Sequence, residues 1–201
     1  LARGLFDRDP VERDESRQLF GMIVVATVPA LIAGKVMGEL EDQLRSVPLQ
    51  APMLLVLGLL LWASDKFARS QREGRLPGWG TALFMGFAQC LALVPGVSRS
   101  GVTMTAGRAA GLSRIGAARF SFLISLPITL AAVLYTLLLK SSDLIAEVPV
   151  STLFIGVASS AVFGFLAIRM MLSLLRRTGF GVFAAYRAVL AIGLFMWAAR
   201  H

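Results

Sequence analysis

The chain has 201 residues, of which 56% are hydrophobic and 16% charged, with a formal net charge of +8. That apolar content exceeds what a soluble core needs. It excludes a soluble globular enzyme, and with it the nucleic-acid partner that so basic a soluble chain would suggest. The arginines fall mostly between apolar segments, as in cytoplasmic loops facing anionic lipid, so the expectation is an all-α integral membrane protein.

In chain order, Leu1 to Gln18 mixes arginines with acids and reads as an interfacial or cytoplasmic segment, not a signal peptide. Because residue 1 is Leu and not Met, a fragment of a longer protein is expected. Leu19 to Gly38 is a first span with Pro29 as a kink, followed by an acidic loop, Glu39 to Gln50. A second span runs from about Val47 to Ala63, and Asp65 to Gly80 reads as a polar linker carrying Lys66, Arg69, Arg72 and Arg75. Thr81 to Val94 is apolar, and a small-residue helix is expected from Val102 to Gly111. Three further spans are expected at Phe120–Leu139 (with Pro127), Val150–Met171 and Phe180–Ala199, the first two separated by a loop at Lys140–Glu147. The single cysteine, Cys90, leaves no internal disulfide and no partners for a metal site.

Between the two short apolar arms lies Pro95-Gly96-Val97-Ser98-Arg99-Ser100-Gly101-Val102-Thr103. A charge drawn to membrane depth costs at least ~2.5–3.5 kcal/mol, so Arg99 needs a partner or a water-filled cavity. Gly96 and Gly101 free the backbone at both ends, and Pro95 ends the incoming helix. Three hydroxyls (Ser98, Ser100, Thr103), loose backbone N–H groups and a guanidinium fork at a helix start suit phosphate oxygens. The plain alternative is a Gly/Ser turn whose arginine snorkels to a head group. The flanking glycines and hydroxyls favour a polyanion site.

Charge separates a re-entrant hairpin from a full crossing over residues 81–111. With the amino terminus inside, a hairpin keeps the Lys66–Arg75 linker, Arg108, Arg114, Arg119, Arg176 and Arg177 on the cytoplasmic side. A crossing would move Arg114, Arg119, Arg176 and Arg177 outside, against the positive-inside rule. Each arm is also shorter than the ~20 residues a span needs. The expected architecture is therefore five transmembrane helices plus one re-entrant hairpin in a single polytopic domain. Two more polar residues enter apolar sequence. Gln89 is expected to make an interhelical hydrogen bond or to turn toward the loop, and Arg187 to be paired structurally or to contact substrate.

Residues Pro95 to Thr103 resemble the Pro-Gly-x-Ser-Arg-Ser-x-x-Thr signature of the undecaprenyl-diphosphate phosphatases, also called bacitracin-resistance proteins. Gly86-Phe87-Ala88-Gln89-Cys90-Leu91-Ala92-Leu93, Phe120-Ser121-Phe122-Leu123 and Ala185-Tyr186-Arg187 extend the likeness, which covers the whole chain but only the later part of a family member. The resemblance implies a multi-pass enzyme of the bacterial plasma (inner) membrane whose active site opens to the periplasm. Its reaction is the hydrolysis of a C55 undecaprenyl diphosphate to undecaprenyl phosphate and inorganic phosphate, which recycles the carrier for peptidoglycan and confers bacitracin resistance. It further implies an inverted-repeat architecture and dependence on a divalent cation (Mg2+ or Ca2+). By motif, Arg99 and Ser98 would be catalytic, and Gly96, Ser100, Gly101, Thr103, Gln89 and Arg187 would bind substrate. A homodimer is a further expectation.

The family's early Glu/Gln-x-x-x-Glu and Pro-x-Ser-Ser-Thr-Gly-His motifs have no counterpart here. The only histidine is His201, and no Asp or Glu is expected within an apolar segment. The sequence thus supplies a phosphate grip with no metal ligands and no base, both expected in a missing N-terminal part. Two rivals stand beside the phosphatase reading: a transporter or flippase for an anionic lipid, built on the same broken-helix device, and a non-catalytic membrane subunit.

Overall fold

The computed structural model describes residues 10–37, 47–68, 76–139 and 149–200, all helical or in short connections. Most of the expected Glu39–Gln50 acidic loop, the Arg69–Arg75 stretch, the Lys140–Glu147 loop and His201 lie outside the described residues, while Val47 to Gln50 already belong to a helix. Among the described residues seven α-helices follow in order: α1 Pro10–Met37, α2 Val47–Phe67, α3 Trp79–Cys90, α4 Arg99–Ala109, α5 Arg114–Leu139, α6 Val150–Thr178 and α7 Gly181–Ala198. A 3-10 turn, Leu91–Leu93, extends α3. Five of them (α1, α2, α5, α6 and α7) are long and apolar enough to cross a bilayer. Helices α3 and α4, at 12 and 11 residues, are not.

Several helices outrun the apolar stretches that announce them. Helix α1 begins at Pro10 because Arg, Asp and Glu are acceptable helix residues and nothing breaks the chain before Phe20. Helix α5 starts at Arg114, where Ser113 Oγ accepts the Gly116 N–H at 3.0 Å as an N-cap. Helix α6 continues past Met171 to Thr178, with Arg176 and Arg177 at its carbonyl end, and stops at Gly179, whose φ of 70° suits glycine. Helix α2 runs on to Phe67, so Asp65 belongs to its last turn and not to a linker.

Glycine marks the closest helix contacts. A Cβ on Gly86 would stand 2.4 Å from the Ala26 carbonyl oxygen, which seats α3 directly on α1. Gly107 meets the Met85 side chain, so α3 and α4 run antiparallel against each other. Helix α4 is the hub, with seven of its eleven residues buried. On one side Ala106 joins Met22, Ile23, Ala26, Ala82, Met85, Ala117, Phe120 and Ile124 in one apolar cluster. On the other, Met104 joins Leu61, Ile115, Ala118, Leu175 and Phe180 in a second. Helix α6 is exposed throughout residues 150–170, and its bulky residues, such as Phe154, Ile155 and Phe163, face outward as lipid contacts do.

Candidate functional site

The break between α3 and α4 begins at Val94. Gly96 turns the chain with φ 87°, and a Cβ there would lie 2.8 Å from both Cα and the carbonyl oxygen of Gln50. Any other residue would be strained and would push α2 away. Ser98 then caps α4: its Oγ accepts the Gly101 N–H at 3.2 Å and lies 3.4 Å from Ser100 Oγ. The helix start thus presents two neighbouring hydroxyls and the N–H groups of Arg99 and Ser100 at the positive end of its dipole.

Arg187 comes to this helix start from α7. It is 6% exposed, and neither Nη1 nor Nη2 has a hydrogen-bond partner among the described residues. Its side chain passes between two glycines. A Cβ on Gly58 would stand 3.3 Å from Arg187 Cβ and 3.7 Å from its Cδ, and one on Gly101 would stand 2.7 Å from Nη1. The same point beside Gly101 is 3.2 Å from Ser98 Oγ, so guanidinium and cap hydroxyl flank one small space. A cavity of about 250 Å³ opens there, lined by Ser98, Ser100, Gly101 and Arg187 among apolar residues that include Leu54 and Met104. A buried guanidinium with no partner among the described residues is costly, and an anion with several acceptor oxygens would match it.

The structure therefore brings together Ser98, Ser100, Gly101 and Arg187. It does not bring the other expected residues to the cavity. Arg99 is half-buried at the first position of α4, does not line the cavity, and has no side-chain partner among the described residues. Gly96 serves the turn. Thr103 is fully buried on the far side of α4, where its Oγ1 lies 2.6 Å from Ser121 Oγ and donates back to the Arg99 and Ser100 carbonyls. Gln89 is 1% exposed, and neither atom of its amide has a partner among the described residues, so the expected interhelical hydrogen bond is not made there. The structural pairing weighed for Arg187 is likewise not found among them.

One group escaped the sequence reading. Asp65, its side chain 9% exposed, is a buried carboxylate in an apolar helix. Its Oδ1 accepts from Arg114 Nε at 2.7 Å and lies 3.3 Å from Arg108 Nε, and its Oδ2 accepts the Phe180 N–H at 3.1 Å. Arg108 also donates to the Leu112 carbonyl at 2.6 Å and the Asp65 carbonyl at 3.2 Å. The signal was present in Trp62-Ala-Ser-Asp65, an acid one turn after an aromatic span residue, but its partners lie 43 to 115 positions away. Asp65 is fully engaged, and no group of three His, Cys, Asp or Glu able to hold a metal exists among the described residues. The divalent cation implied by resemblance thus finds no ligand set among them.

Residues 1–193 match the family model described as bacitracin resistance protein BacA. An undecaprenyl-diphosphatase of Gemmatimonas aurantiaca is 46% identical over 175 residues, covering 86% of this chain and 64% of that protein. One from Alcanivorax borkumensis is 42% identical over 182 residues, covering 89% and 67%, and one from Trichlorobacter lovleyi 42% over 175, covering 86% and 64%. The chain spans about two thirds of the length of these relatives.

Proposed function

The chain belongs to the bacitracin resistance protein family, BacA, and on that premise we propose that it carries the phosphate-gripping half of an enzyme that hydrolyses undecaprenyl diphosphate. The observation that carries this reading is the buried Arg187 guanidinium, without a partner among the described residues, held against the capped start of α4. A diphosphate in the cavity takes charge-assisted hydrogen bonds from Arg187 and O–H donors from Ser98 and Ser100. Ser98 can give its proton because its lone pair, not its O–H, serves the cap. Arg99, at the same helix start and with no side-chain partner among the described residues, adds positive charge beside the cavity against the charge that builds on the transferred phosphoryl group. Water attacks the terminal phosphorus, the P–O–P bridge breaks, and prenyl phosphate leaves with inorganic phosphate as the second product. Neither the guanidinium of Arg187 nor that of Arg99 can serve as the base that activates the water. The apolar walls of the cavity, Leu54, Leu61, Met104 and Phe183 among them, suit an isoprenyl chain.

The antiparallel packing of α3 on α4 supports the re-entrant reading, since both outer ends of the pair then face the side where Asp65 closes α2. That side is the cytoplasm by the charge count, and the loop at Gly96 approaches Gln50 at the opposite end of α2, toward the periplasm. A bacterial inner membrane follows from the substrate proposed.

The test is phosphate release from a prenyl diphosphate by the full-length protein in detergent. Arg187→Ala should lose at least ~10²-fold, the scale for a preorganised electrostatic group. Arg187→Lys should recover little, because a point charge lacks the fork. Undiminished hydrolysis by Arg187→Ala would overturn this assignment. Tight binding of the diphosphate with no turnover by the unmutated protein would favour the transporter reading.

A further inference from the structure

We propose that Asp65 is a positioning residue for the site: it sets the register of the three helices that hold Arg187 between Gly58 and Gly101. This rests on the reading of Arg187 as the phosphate-binding group.

The argument is one of register. Asp65 on α2 meets Arg108 on α4 and Phe180 at the start of α7. Seven residues away along each helix, Gly58, Gly101 and Arg187 meet in turn. Helix α4 therefore runs parallel to α2 and α7 antiparallel to it, and both contact layers use one alignment, about 10 Å apart. Small residues at a helix contact, such as Gly58 and Gly101, let backbones approach closely but offer no polar side chain to pin the register. The Asp65 cluster supplies the constraint that glycine contacts lack. Its carboxylate holds the N–H of Phe180, the residue just before α7, on one oxygen and the α4–α5 turn, through Arg114, on the other. Arg108 ties the same turn back to the Asp65 carbonyl. Gly179 leaves room for this: a Cβ there would lie 2.8 Å from Asp65 Oδ2 and 2.9 Å from Arg114 Cζ, and its φ of 70° also requires glycine.

A merely structural anchor and a positioning residue differ in what their loss changes. Fewer folded molecules lower the maximal rate but leave KM and the inhibition constant of inorganic phosphate unchanged. A displaced guanidinium raises both constants. In the full-length protein, Asp65→Asn should raise them about tenfold, since misplacement by ~1 Å can cost as much as 10²-fold. Arg114→Gln, at a half-exposed site that folding tolerates, should move both constants the same way by two- to threefold. Arg187→Ala is the reference and should raise both more than either. In native membranes, with other cysteines replaced, the pair Gly58→Cys and Arg187→Cys should oxidise to a disulfide, because the two Cβ positions lie 3.3 Å apart. Adding Asp65→Asn should slow that oxidation. Unchanged constants in Asp65→Asn and Arg114→Gln, beside raised constants in Arg187→Ala, would overturn the positioning role and leave the phosphate reading intact. Undiminished cross-linking with Asp65→Asn would overturn it too. Unchanged constants in Arg187→Ala would sink both together.

Discussion

Gly101 and Arg187 share a space that no side chain on residue 101 would leave open, since a Cβ there would stand 2.7 Å from Nη1. The helix start and the guanidinium adjoin because one partner has no side chain. Two features that look generic in isolation, a glycine in a Ser/Gly loop and a lone arginine in an apolar helix, are one arrangement.

That relationship orders two substitutions. Gly101→Ala meets the guanidinium and Ser98 Oγ, at 3.2 Å, at once, whereas Gly58→Ala meets Arg187 Cβ at 3.3 Å and the Ala184 carbonyl at 3.6 Å. Phosphate release should fall at least ~10²-fold for Gly101→Ala, by displacement of a preorganised group, and distinctly less for Gly58→Ala. Steady-state kinetics on both variants checks the order, and the reverse order would contradict the geometry.

Arg99 carries a charge with no side-chain partner among the described residues. Arg99→Ala should reduce phosphate release at least ~10²-fold, with little recovery in Arg99→Lys. Because Arg99 does not line the cavity, its loss should affect the maximal rate more than KM. Near-normal rates in Arg99→Ala would remove it from the site.

Thr103 and Ser121 are expected to act through stability. Thr103→Val strands the Ser121 hydroxyl in a fully buried position and should cost about 1–2 kcal/mol. Thermal unfolding in detergent measures this, and kinetic constants of the folded fraction should stay put. A raised KM with unchanged stability would instead make Thr103 a substrate ligand.

The orientation of the short helices can be read by labelling. With Cys90 replaced by Ala, single cysteines at Phe67 and Ala109, both exposed near the Asp65 end, should react with an impermeant thiol reagent from the same, cytoplasmic face. Reaction from opposite faces would make α3 and α4 a full crossing.

The sequence alone determined the fold class, because five long apolar stretches admit only helices in a bilayer. It also singled out the loop at Ser98, Arg99 and Ser100, since a charge among glycines and hydroxyls inside apolar sequence has few uses. Helix ends were less legible: hydropathy marks where lipid begins, while hydrogen bonds, caps and Gly179 decide where helices stop. Only the tertiary structure decided which polar groups converge. Thr103 sits in the same loop motif as Ser98 but points to Ser121, because five residues along a helix carry a side chain roughly 140° around its axis. Arg187 reaches the loop from 86 positions beyond Gly101, and Asp65 meets Phe180 across 115. Such contacts follow from helix register and glycine-sized gaps, and a single sequence holds no local trace of either.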